Sequence, residues 1–151
     1  MISAIGCTRD DICSVNTDTT PKLIITFKDI SNPLVSKSVS NLTILSADNI
    51  DLRVFETATT DSIAIPINPN LDLTSLLFIK NDVDDTGDTD ALTFNYMREN
   101  IYVNRACAFK TIFSELNPVL TPEDDATWIR TITLLNTMIE NEIEAHLTIL
   151  H

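Results

Sequence analysis

The chain has 151 residues, enough for one domain that buries about 70% of the surface its unfolded form would expose. Hydrophobic residues make up 44% and charged residues 21%, and the mean hydropathy is +0.10; this is core-forming material, and it excludes a disordered acidic tail. Twenty-two Asp and Glu against ten Lys and Arg give a net charge of −12, so nucleic-acid backbones and anionic headgroups are poor partners for the surface.

No apolar run approaches the ~18 residues of a spanning helix. Only two glycines are present, Gly6 and Gly87, so phosphate-cradling loops and the nucleophile elbow are absent. Thr and Ile are abundant, and both are β-branched residues that fit a pleated surface. Pro21, Pro33, Pro66, Pro69, Pro118 and Pro122 punctuate the chain between short apolar runs. That pattern predicts an all-β fold of the sandwich or barrel kind.

In chain order, Leu23, Ile25 and Phe27 share one face of a first strand, with Lys22, Thr26 and Lys28 opposite. Asn32-Pro33 breaks the chain. Leu42 and Ile44 share a face of a second strand, and Leu52 and Val54 begin a third. Ile63, Ile65 and Ile67 form a fourth, and Pro66 marks it as an edge strand. The unbroken apolar run Leu76–Ile79 predicts a strand buried on both faces. Leu92, Phe94 and Tyr96 alternate next, and Ile101 and Val103 resume beyond Glu99-Asn100. Cys107, Phe109 and Phe113 fall on one face of a further run. Ile143, Ala145, Leu147 and Ile149 alternate with Glu142, Glu144, His146 and Thr148 in a last strand.

One segment supports two readings. Thr121-Pro122-Glu123-Asp124 has the N-cap and first-turn proline of a helix start, and Trp128, Ile132, Leu135 and Ile139 follow at helical spacing. The run Ile129–Thr133 is β-branched and suits a strand, with Trp128, Ile132 and Leu134 on one face. Periodicity alone leaves the two even.

The cysteines are Cys7, Cys13 and Cys107. Count alone leaves three reduced thiols and a pairing equally open. Zinc spacing is absent, with no Cys-x-x-Cys and no His beside a Cys. The opening Cys7-Thr8-Arg9-Asp10-Asp11-Ile12-Cys13, then Thr19-Thr20-Pro21-Lys22-Leu23, then Arg105-Ala106-Cys107-Ala108-Phe109 and Trp128-Ile129 resemble the DUF6452 family of Bacteroidetes envelope lipoproteins. No activity comes with that resemblance. It implies export, a lipid anchor and a mostly β domain, and it tips the Trp128 segment towards strands. It also implies separate roles for the cysteines: Cys7 as the acylated residue after Ala4-Ile5-Gly6, and Cys13 with Cys107 as a disulfide. Six residues cannot hold the charged and apolar regions of a signal peptide, so an exported form is expected to have a longer leader upstream. Arg9-Asp10-Asp11 resembles the charged stretches that route such lipoproteins to the outer face of the outer membrane, and reads equally as a solvated linker.

Metal chemistry has one candidate. In Asp82-Val83-Asp84-Asp85-Thr86-Gly87-Asp88-Thr89-Asp90, the residues Asp82, Asp84, Thr86, Gly87 and Asp90 match successive ligand and turn positions of an EF-hand loop, and Asp88 lies among them. The bidentate Glu that should complete the set is Thr93. The plainer reading is an acidic hairpin loop, with Ca²⁺ as the alternative ligand.

Catalytic candidates are sparse. The two histidines are His146 and His151, and His146 is expected at a solvent-facing or edge position. Trp128, Tyr96 and Tyr102 could form a glycan platform, but all sit in apolar runs and are expected in the core. Asp18-Thr19-Thr20 and Asp61-Ser62-Ile63 resemble O-glycosylation acceptors. The resulting expectation is an antiparallel β-sandwich of seven to nine strands, possible as an immunoglobulin-like variant. Residues 1–20 form an anchor and linker, and 21–151 a single domain. The resemblance implies a lipid-anchored, non-enzymatic module of the cell envelope, periplasmic or surface-facing. The membrane is reached only through the anchor, nucleic acid is not a partner, and the alternative is a calcium- or glycan-binding sandwich.

Overall fold

The computed structural model describes residues 13–15, 17, 19–84, 86–121 and 125–151. Cys7, Arg9-Asp10-Asp11, Asp18, Asp85 and Pro122-Glu123-Asp124 lie outside the described residues. Among the described residues there is no helix, and nine strands form two sheets. The first sheet contains β1 (Leu23–Lys28), β4 (Ser62–Ile65), β8 (Thr131–Leu134) and β9 (Leu147–Leu150), in the order β4-β1-β9-β8. The second contains β2 (Val39–Ser46), β3 (Arg53–Thr60), β5 (Leu73–Lys80), β6 (Asp88–Asn104) and β7 (Ala108–Thr121), in the order β3-β2-β5-β6-β7. This is an all-β sandwich with mostly antiparallel pairs; β1 and β9 run parallel.

Alternation builds the core. Leu23, Ile25 and Phe27 point inward from β1, Ile63 and Ile65 from β4, and Leu147 and Ile149 from β9. Leu42 and Ile44, Leu76 and Phe78, and Leu92, Phe94 and Tyr96 come from the second sheet to meet them. Strand β4 is an edge strand that ends at Ile65, so Pro66 falls just past it and no ladder hydrogen bond is lost.

Several expectations need correction. Leu76–Ile79 is not buried on both faces: Leu76 and Phe78 are buried, and Leu77 and Ile79 are half-buried on the other side. The last strand is shorter than its alternation suggests. Ile143 is 84% exposed, because the Asn141 side chain accepts a hydrogen bond from the Ile143 N–H and closes a turn there. Strand β9 itself is buried at all four positions, as a central strand covered on both faces.

The segment with two readings is extended. Trp128 precedes β8 and lies off it, and its indole N–H donates to the Phe78 carbonyl at 3.2 Å. The Ile129 N–H donates to Asp90 Oδ2 at 2.8 Å. These two bonds from β5 and β6 hold the crossover from the second sheet to the first.

Strand β6 continues through Glu99-Asn100 without a break. Its pairing with β5 stops at Asn95, and from Met97 to Asn104 it pairs only with β7. The two strands therefore leave the sandwich as a hairpin arm. A register shift between Asn95 and Met97 marks its base, where Glu115 takes a left-handed φ of 53°.

Candidate functional site

The arm carries the molecule's exposed aromatic surface. Tyr102 and Phe109 face each other across the ladder, their ring centroids 5.6 Å apart and nearly perpendicular. They are 61% and 63% exposed, which corrects the core role expected of Tyr102. Phe109 shares Phe113's side of the strand, yet Phe113 is fully buried against Tyr96, at 4.9 Å, while Phe109 lies out on the arm. Cys107 is not on that strand face at all. It sits in the turn, where the Asn104 side chain accepts from its N–H at 2.7 Å and Ala108 takes a φ of 55°. Met97, at the arm's base, is also exposed.

A disulfide joins Cys107 to Cys13 across 94 residues, with the Cα atoms 4.9 Å apart. The bond brings the N-terminal segment to the tip of the arm. Farther along, the Thr111 N–H donates to Thr20 Oγ1 at 2.9 Å, and Ile139 bridges Phe113 through a pair of backbone bonds. With the Leu116 N–H donating to the Thr137 carbonyl at 3.0 Å, the outer edge of β7 is contacted at Thr111, Phe113 and Leu116.

The acidic loop is described apart from Asp85. Among the described residues no group of three or more carboxylate, histidine or cysteine side chains converges. Asp82 and Asp84 lie in the loop, and Asp88 opens β6 with an exposed side chain. Asp90 is buried and turned to the Ile129 N–H, so the fourth expected ligand is a structural acceptor. Gly87 is explained by packing: a Cβ there would fall 2.5 Å from Ile79 Cγ2 and 2.6 Å from the Lys80 carbonyl.

His146 is 2% exposed, not at a solvent-facing position. Its Nδ1 accepts from the Ile24 N–H at 3.0 Å, and its backbone N–H donates to the Ile24 carbonyl at 2.9 Å. The ring substitutes for a strand neighbour of β1. Burial holds its pKa below the ordinary histidine value, against the opposing effects of the Asn141 backbone and the Glu142 carboxylate. His151 is also buried, edge-on to Trp128 at 5.7 Å and to Phe27 at 6.2 Å, with Nε2 3.2 Å from the Lys37 carbonyl. Its pKa is lowered by burial first; the Lys37 carbonyl and Asp29 oppose this, and the Lys80 and Lys37 cations add to it. Lys80 Nζ stands 5.7 Å from the Trp128 ring centroid.

Tyr96 is in the core as expected, and its hydroxyl donates to the Asn68 carbonyl at 2.8 Å and meets Thr74 Oγ1 at 2.7 Å. Burial pushes its pKa up. An open groove of about 480 Å³ lies between the end of β7 and β8, lined by Pro118, Leu120, Ile129, Arg130 and Ile132. Among the described residues its lining contains no histidine, cysteine or carboxylate.

Fold and surface together define a two-sheet β module with a stapled, aromatic-tipped hairpin; its histidines and its best-placed acid are spent on structure. The chain belongs to DUF6452, a family of unknown function, whose model matches residues 41–151. The match takes in the arm and Cys107 and begins after Cys7 and Cys13. No curated protein and no solved structure matches this chain.

The apolar alternation of Leu92, Phe94 and Tyr96 lapses at Arg98 and resumes out of phase at Ile101 and Val103, so the sequence reads as two strands rather than one long arm.

Proposed function

We propose that this protein is a lipid-anchored module of the cell envelope, of Bacteroidetes lipoprotein type, held at the outer membrane through Cys7, with a non-enzymatic binding or structural role. The observation that carries this reading is the Cys13–Cys107 disulfide. Such bonds persist in oxidising compartments and are rare in the cytosol of mesophiles. With two of the three cysteines joined, Cys7 is left as the thiol available for a thioether-linked lipid. Two or three acyl chains hold a protein at a membrane where a single chain is marginal. The burial and hydrogen bonding of His146 and Asp90 support a role without catalysis.

The test is metabolic labelling with a clickable fatty-acid analogue, using the full-length gene product in a Bacteroidetes host. Label is expected on the wild type and lost in Cys7→Ala. An unlabelled wild type, or label retained in Cys7→Ala, overturns the anchor.

A further inference from the structure

We infer that the tip of the hairpin arm, with the Tyr102–Phe109 pair at its centre, is the surface this protein lays into the headgroup region of the bilayer that carries its anchor. The inference rests on the acylation of Cys7 proposed above, and it names which end of the domain meets the membrane.

Three observations converge on it. The first is the reach of the tether. Cys7 and Cys13 are six residues apart in sequence, a span of at most about 20 Å. The disulfide adds a Cα–Cα separation of 4.9 Å to Cys107 in the turn of the arm. A lipid on Cys7 is thus covalently held within about 25 Å of the tip. The loop between β5 and β6 is at the other end of β6, 17 residues or about 55 Å along the strand.

The second is chemistry. Phe27, Phe78, Phe94, Phe113, Tyr96 and Trp128 are all buried, whereas Tyr102 and Phe109 are exposed side by side. A tyrosine beside an apolar ring suits the bilayer interface, where the ring is dehydrated and the hydroxyl stays wet. The third is charge. Residues 100–114 carry Arg105 and Lys110 and no carboxylate, in a chain of net charge −12. Lys110 shares a surface groove with Glu140 and Glu142, so the tip is near neutral.

The experiment uses the full chain with the disulfide formed, so that Cys7 is its one thiol. It is coupled through Cys7 to a maleimide lipid in phosphatidylcholine vesicles. Phe109→Trp places a fluorophore at the tip, and Val83→Trp places one on the 52%-exposed residue at the opposite end. The wild type, with buried Trp128, gives the background. Lipids brominated near the headgroup are expected to quench the added emission of Phe109→Trp at least about twofold, with a shift to the blue, and to leave Val83→Trp unchanged. Unquenched, water-like emission from Phe109→Trp overturns the inference. So does equal quenching of both variants, which would mean that the domain lies on the bilayer without orientation. A dimer in sedimentation without lipid, abolished by Tyr102→Ser with Phe109→Ser, would assign the pair to a second copy instead. Because the maleimide lipid supplies the tether, this outcome is independent of acylation in cells, which the labelling experiment decides by itself.

Discussion

The two halves of β6 make the same ladder with β7 and differ in what lies across from them. From Asp90 to Tyr96 every second residue is buried against the first sheet. From Met97 onward no strand of the first sheet stands opposite, and Tyr102 is left exposed. Burial along a strand is therefore a property of its neighbour as much as of its pattern. The arm is held by other means: the Cys13–Cys107 bond, the Thr20–Thr111 bond and the Ile139 bridge.

This contrast can be broken most sharply by truncating aromatics on either side of it. Phe94→Ala and Phe113→Ala, in fully buried sites, are expected to cost about 3–5 kcal/mol in denaturant unfolding. Phe109→Ala on the same ladder is expected to stay within about 0.5 kcal/mol of wild type. A cost above about 2 kcal/mol for Phe109→Ala would mean that the arm packs against the body.

The staple comes next. Cys13→Ala with Cys107→Ala opens a loop of 94 residues and is expected to cost about 2–4 kcal/mol. Limited proteolysis should then cut between Asn104 and Phe109 while the sandwich stays intact. Loss of the whole fold instead would make the arm part of the folding core.

Asp90 and Asp84 separate structure from metal binding within the acidic loop. Asp90→Ala leaves the buried Ile129 N–H without its acceptor and is expected to cost about 1–3 kcal/mol, whereas Asp84→Ala, exposed but at a left-handed φ of 53°, should cost less than about 1 kcal/mol. Millimolar Ca²⁺ is expected to leave the wild-type Tm unchanged; a rise reversed by Asp84→Ala would assign a calcium site to the loop.

The smallest effect is on pH. Both histidines have folded-state pKa values below about 6.5, so the unfolded chain takes up their protons first as pH falls. Stability is thus full above pH 7, declines as pH drops through about 6.5 towards the folded values, and levels off below them. Chemical denaturation across pH 7.5 to 5 checks this. His151→Phe should flatten part of the slope; an unchanged slope would assign the effect to the carboxylates.

Much of the sandwich was legible from local chemistry. Leu23, Ile25 and Phe27 alternate, Pro66 marks an edge, and the strand count falls at the top of the expected range. The misreadings share one cause. His146 was placed at the surface because its flanking residues alternate, but Asn141 turns the chain and delivers the ring to the free edge of Ile24, 122 residues away. Trp128 repeats at helical spacing with Ile132 and Leu135, and its partner, the Phe78 carbonyl, is 50 residues back. No local pattern carries such pairings.

The sequence by itself determined the secondary-structure class, the inward faces of the early strands and the absence of glycine-cradled phosphate chemistry. These follow from side-chain branching, period-two hydrophobicity and two glycines, all properties of neighbouring residues. Tertiary structure alone decided that Asp90 is an internal acceptor, that both histidines are buried and that Tyr102 and Phe109 are not. Those outcomes depend on which strand lies opposite which, and that is fixed by the packing of two sheets whose contacts join residues far apart in the chain.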